Sequence, residues 1–194
     1  MRKVLFVDCC IRGEQSRTLE LAKVFLENLP ADCQVEHLRL TEQALMPLTG
    51  EYFAARQKLL DAGEPDHPRF RYAHQFAEAD LIVMAAPFWD LAFPALLKVY
   101  IEQVSVDGIT FASTAEGLKG LCKASALVYL TTRGGFYPDG HWGLGTKYLD
   151  ALHEFFGIGS YRCIGADGMD VQGFDGKASL EEAKKQAAEL AASL

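Results

Sequence analysis

The chain has 194 residues, enough for one domain (1–194) with a core that needs no disulfide staples. Hydrophobic residues make up 49% and charged residues 23%, an ordinary globular balance, and no apolar run approaches the roughly 18 residues that span a bilayer, so membrane insertion is not expected. A net charge of −7 argues against nucleic-acid binding as a main activity, because such binding needs a basic surface to displace phosphate counterions.

In chain order, Met1-Arg2-Lys3 followed by Val4-Leu5-Phe6-Val7 has the basic-then-apolar order of a leader. The apolar run is too short and Asp8 interrupts it, so Val4–Asp8 reads as a first strand. Leu19, Ala22, Phe25, Leu26 and Leu29 recur at helical spacing until Pro30 ends the helix, and a weaker second strand lies within Gln34–Leu40. Pro47, Gly50, Gly63, Pro65 and Pro68 break up Leu45–Arg69, which is either a helical excursion over a site or a loop against a second subunit. Leu81–Ala86 is apolar throughout, as expected of a central parallel strand covered on both faces. Leu96, Leu97, Tyr100, Ile101 and Val104 mark one face of the next helix, with Pro94 suited to its first turn. A fourth strand at Ala124–Thr131, a helix at Trp142–Phe156, a fifth strand at Tyr161–Ala166 and a terminal helix at Leu180–Leu194 complete the chain. This alternation predicts a doubly wound α/β sheet.

In such a sheet, the loops at the carboxyl ends of neighbouring strands converge on one crevice. Three of them are unusual here. Cys9 to Thr18, between the first strand and first helix, combines two hydroxyls and an arginine with helix N–H groups, a plausible phosphate cradle, and Arg12, Arg17 and Arg133 are the candidates for a local cationic pocket. Ser16 alone is equally a helix cap, and the loop has neither a P-loop nor a Gly-x-Gly-x-x-Gly fingerprint. Phe88 and Trp89 follow the third strand, where they either pack along a planar ring or belong to a satellite core; Asp90 bonds the local backbone or caps the next helix. Arg133-Gly134-Gly135 follows the fourth strand, and paired glycines permit close backbone approach to a ligand or a simple tight turn. The coincidence of the three loops favours a binding site.

Other chemistry finds less support. Cys9-Cys10 lacks Cys-x-x-Cys spacing and reads as two inert buried thiols, and the odd total of five cysteines suits a reducing compartment, the cytoplasm. His37, His67, His74, His141 and His153 form no metal-ligand spacing, and no Gly-x-Ser-x-Gly elbow marks a serine hydrolase.

The run Ala85-Ala86-Pro87-Phe88-Trp89-Asp90-Leu91, then Pro94 to Lys98, Gly108-Ile109-Thr110-Phe111, Gly117 to Leu121 and Thr132-Arg133-Gly134-Gly135, resembles the FMN-dependent NAD(P)H oxidoreductases of the azoreductase and quinone reductase family. The resemblance implies a flavodoxin-like three-layer sandwich with a five-stranded parallel sheet in the order 2-1-3-4-5. It implies that Cys10, Ser16, Arg17 and Thr18 hold the FMN phosphate, that Phe88, Trp89, Asp90 and Leu91 line the isoalloxazine and ribityl chain, and that Thr132, Arg133, Gly134 and Gly135 meet the ring's polar edge. Gly134 and Gly135 would polarise the flavin through their backbone amides. There are two departures from the family pattern: Cys10 stands where Ser is usual, and the run Phe88-Trp89-Asp90-Leu91 stands where Met-Tyr-Asn-Phe is common. The implied activity passes two electrons from NADH or NADPH to a quinone, azo compound or similar small-molecule acceptor by a ping-pong scheme in a homodimer. A non-enzymatic electron carrier or binding module and an FAD-using quinone reductase are the alternatives.

Overall fold

The structure, a computed structural model, describes residues 1–137 and 141–194. Five parallel strands form the main sheet: β1 (Arg2–Asp8), β2 (Cys33–Arg39), β3 (Leu81–Ala85), β6 (Leu127–Thr132) and β7 (Tyr161–Ala166). Their order is β2-β1-β3-β6-β7, the expected 2-1-3-4-5 once β4 (Phe111–Thr114) and β5 (Gly117–Gly120) are set aside. Those two make a separate antiparallel hairpin.

Side-chain alternation along the strands builds two cores. Leu5, Val7, Ile82, Met84, Leu127 and Tyr129 face one way. They meet Phe76 of α3 (Arg71–Glu78), Tyr100 of α4 (Ala95–Val104) and Phe156 of α5 (Leu144–Phe156). Val4, Phe6, Leu81, Val83, Val128 and Leu130 face the other way. They meet Phe25 of α1 (Arg17–Glu27) and Ala183 and Ala187 of α6 (Gly176–Ser193). The sheet is therefore the middle of three layers. Phe25 is fully buried, and truncating it to alanine is expected to cost about 3–5 kcal/mol through lost transfer energy and the cavity left behind.

The hairpin is fixed by a backbone contact. Gly157, at φ +72°, ends α5 in the left-handed conformation and lies against Gly120; a Cβ on Gly120 would fall 2.0 Å from the Gly157 nitrogen. The Leu45–Arg69 segment contains α2 (Gly50–Asp61), none of whose residues is buried. Arg56 donates to the Ser105 carbonyl at 2.7 Å and Gln103 to that of Met46 at 2.8 Å. Both contacts lie at the C-terminal end of α4, the end remote from the loop after β3. The segment is thus helical over Gly50–Asp61 and anchored at that end of α4.

Candidate functional site

Five strands deliver their βα loops to the same edge of the sheet, and three of these loops, with part of a fourth, enclose a cleft of about 140 Å³. It is lined by Arg12, Gln15, Ser16, Arg17 and Thr18 from the first loop, Pro87, Phe88 and Trp89 from the loop after β3, Thr132 and Gly134 from the loop after β6, and Asp170 after β7. A larger groove of about 770 Å³ lies between the exposed β2 edge and α3, but it contains no glycine turn and no residue of the three loops. The small cleft is where the chemistry-bearing groups meet.

Its first wall is the start of α1. Ser16 has extended backbone angles and its Oγ accepts the Leu19 N–H at 3.3 Å, so it is the helix cap. That leaves the hydroxyl proton available to a further acceptor. The N–H groups of Arg17 and Thr18 have no backbone partner among the described residues, and the positive end of the helix dipole lies there. Capping and anion binding are thus compatible roles for one residue. Thr18 Oγ1 also meets Thr132 Oγ1 at 2.7 Å in a buried contact, which joins the first wall to the β6 loop.

Arg17 reaches across the mouth of the cleft. Its guanidinium donates to the Met169 carbonyl at 2.9 Å and to Asp170 Oδ1 at 3.0 Å. Arg12 remains exposed on the lining. Two cations and one carboxylate leave the cleft locally positive in a chain that is acidic overall.

The third wall is a turn stitched to the loop after β7. Arg133 donates its N–H to the Ala166 carbonyl at 2.8 Å; the carbonyls of Gly135, Arg133 and Gly134 accept from the N–H groups of Gly168, Met169 and Asp170, each at 3.0 Å. With those carbonyls committed, the Gly134 and Gly135 N–H groups have no backbone partner among the described residues. The glycines leave their neighbours in place: a Cβ on Gly134 would lie 2.8 Å from Asp170 Oδ2, and one on Gly135 2.9 Å from the Tyr137 ring, so either addition pushes a side chain aside.

Of the residues named from sequence, the cleft lining includes Ser16, Arg17, Thr18, Phe88, Trp89, Thr132 and Gly134, and does not include Cys10, Asp90, Leu91, Arg133 or Gly135. Cys10 is buried in the α1-side core, its Sγ donating to the Ala85 carbonyl at 3.7 Å and its N–H to Asp8 Oδ1 at 2.9 Å. Burial, with the nearby Asp8 charge, pushes its thiol up, and burial pushes the Cys9 thiol up to about 12. Both are protonated at neutral pH, as inert thiols should be. Asp90 and Leu91 are the central residues of a two-residue turn in which Trp89 and Ala92 exchange backbone hydrogen bonds at 3.3 and 2.8 Å. Both have positive φ, +48° and +69°, the conformation such a turn demands and one that costs a leucine energy. The turn lifts Trp89, which is 42% exposed, while the Phe88 ring is stacked on Tyr137 at 4.7 Å. Trp89 is the aromatic face left open. Arg133 turns its side chain away from the cleft, toward Asp167.

Sequence reasoning missed Asp167, Met169 and Asp170. The signal was present, because Asp167 to Asp170 immediately follow the fifth strand and the carboxyl-end rule applies to that loop as well.

The family model described as flavodoxin-like fold matches residues 2–191. The chain belongs to this flavodoxin-like family. Among its relatives, FMN-dependent NADH:quinone oxidoreductase 2 of Clostridium acetobutylicum is 39% identical over 98% of this chain and 100% of its own length. The protein of the same name from Clostridium perfringens strain 13 is 37% identical over 98% of each chain. The crystal structure of azoreductase from Bacillus anthracis strain Sterne superimposes with a TM-score of 0.88 at 26% identity, covering the whole of both chains. Membership of the flavodoxin-like family thus extends over the full sheet and all three walls of the cleft.

The donor groups in and beside the cleft match the polar groups of an FMN molecule. A phosphate matches the unpartnered Arg17 and Thr18 amides, the Ser16 hydroxyl and Arg12, and the polar edge of a flavin ring matches the unpartnered amides of Gly134 and Gly135.

Proposed function

We propose that this protein is an FMN-dependent oxidoreductase, one domain spanning residues 1–194, that passes two electrons from NADH to a quinone or azo acceptor. The observation that carries this reading is the meeting on one cleft of unpartnered amides from the α1 N-terminus and from Gly134, with the Gly135 amide next to it in the same turn. The names of the relatives supply the chemistry.

FMN, when bound, supplies the two-electron chemistry, so no side chain needs to act as nucleophile. The chain's own residues bind and orient. Arg17 and Thr18 would hold the phosphate through their backbone amides, with the Ser16 hydroxyl and Arg12 completing the cradle. Gly134 and Gly135 would donate to the ring's polar edge, where fixed dipoles stabilise added negative charge without reorganising. Phe88, backed by Tyr137, and the exposed Trp89 would wall the ring and present an aromatic surface to planar reactants.

The same reading includes a homodimer and a reducing, cytoplasmic setting. Ala92, Phe93, Leu144 and Tyr148 form an apolar hollow beside the Trp89 turn, with Lys98 and Lys147 at its rim, a surface suited to a second copy. Five free cysteines support the reducing compartment. Among the described residues, no helix is long and apolar enough to cross a membrane.

The test is reconstitution. Purified protein incubated with FMN, gel-filtered and scanned should retain flavin and catalyse NADH-dependent quinone reduction. A preparation that neither copurifies with nor takes up FMN sinks the reading.

A further inference from the structure

Arg133 sits between two residues of the cleft lining, Thr132 and Gly134, yet its side chain runs back between the carboxyl ends of β6 and β7. The side chain is only 8% exposed, and Nη1 donates to both carboxylate oxygens of Asp167, at 2.9 and 3.2 Å. Nη2 lies 3.8 Å from Cys163 Sγ. Gly165 makes room for the group, since a Cβ there would fall 3.0 Å from Nη2 and 3.2 Å from the guanidinium carbon.

A charge pair in such a place is not explained by packing. Desolvating two ions is costly, and apolar side chains of similar volume commonly replace a buried pair at no loss of stability. What distinguishes this pair is its position. Arg133 opens the turn that presents the Gly134 and Gly135 amides, and Asp167 opens the loop whose amides hold that turn's three carbonyls. The pair closes the stitching from the side-chain direction, and it places a cation and its counter-ion on the two residues that open the turn and the loop.

We propose that Arg133 and Asp167 are a positioning pair that fixes the Gly134–Gly135 amides and sets the electrostatic field at the flavin's polar edge. Arg133 favours added electrons there and Asp167 cancels most of that effect. This rests on the reading that the turn faces FMN.

Reduction adds negative charge to the ring, so an unpaired cation nearby raises the flavin's two-electron potential and an unpaired anion lowers it. The experiment measures that potential by equilibration with reference dyes, together with FMN affinity by fluorescence quenching. The proteins are wild type, Asp167→Asn, Arg133→Met and the double variant. The expected result is a roughly tenfold gain in preference for reduced over oxidised FMN in Asp167→Asn, an upward shift of about 30 mV for a two-electron couple. Arg133→Met should shift downward, and the double variant should return toward wild type. A brace without an electrostatic role would move both single variants in the same direction or leave the potential where it was, and either outcome overturns the proposal. Should Arg133→Met not fold, Asp167→Asn decides alone, because an unshifted or lowered potential there overturns it. Wild type that fails to take up FMN overturns the flavin reading and this proposal together. Wild type that binds FMN beside unshifted variants overturns only the proposal.

Discussion

Two arginine–aspartate pairs tie the cleft to the loop after β7, and they differ in almost everything but chemistry. Arg17–Asp170 spans the mouth at 3.0 Å with side chains 36% and 67% exposed, whereas Arg133–Asp167 lies behind the glycine turn at 2.9 Å with side chains 8% and 22% exposed. An exposed pair is screened by water and salt and contributes at most about 1 kcal/mol, so a phosphate can take its place with little loss. A buried pair has no substitute for either partner, so removing one strands the other in a poor dielectric. The same two residue types therefore make an exchangeable contact in one place and a fixed brace in the other.

The largest effect should come from the brace. Arg133→Met is expected to destabilise the flavin-free protein by about 3–5 kcal/mol, read as a lower midpoint in urea denaturation. A loss below about 1 kcal/mol would erase the distinction between the pairs. Next is the turn that the brace supports. Gly134→Val puts a side chain where Asp170 Oδ2 now lies 2.8 Å from the Cβ position, and FMN affinity should fall at least about tenfold, or about 1.4 kcal/mol, in a fluorescence titration. Unchanged affinity would refute the role given to this amide.

At the exchangeable pair the effects should be smaller and phosphate-specific. Arg17→Gln is expected to weaken FMN about tenfold while leaving riboflavin, which has no phosphate, unaffected; urea stability should change by less than about 1 kcal/mol. Equal losses for both flavins would mean that Arg17 acts on the ring or on the fold. Smallest of all, Asp170→Asn removes a carboxylate that competes with phosphate for Arg17. FMN should bind about threefold more tightly, with the gain shrinking as salt is added. Weaker FMN binding in that variant would make Asp170 a support instead of a competitor.

Much of this arrangement is legible in the amino-acid sequence. Leu81–Ala86 and Ala124–Thr131 announce themselves as central strands because both faces are buried, and α1, α4, α5 and α6 show apolar stripes or favourable composition. The hairpin escapes because its strands have four residues each and are mostly exposed. The α2 helix escapes because it has no buried face to leave a period. The α3 helix has one, in Tyr72, Ala73, Phe76 and Ala77, but only eight residues to display it.

The three walls of the site follow from where strands end, and that is a property of sequence order. Side-chain direction is harder. Thr131 and Arg133 fall on the opposite side of the strand from Thr132, so a strict period of two extended past the end of β6 points Arg133 away from the cleft. Cys10 is the opposite case: nothing in its local sequence shows that Sγ turns inward to the Ala85 carbonyl, because that partner belongs to another strand. The Asp170 contact with Arg17 spans 153 positions and becomes visible only when β7 is placed beside β6.

The most direct test of the flavoenzyme reading is an anaerobic titration of the FMN-loaded protein with NADH, followed by addition of a quinone. Stoichiometric NADH is expected to bleach the visible flavin band, and the quinone to restore it without NADH present. A bound flavin whose spectrum stays unchanged under excess NADH would contradict that reading.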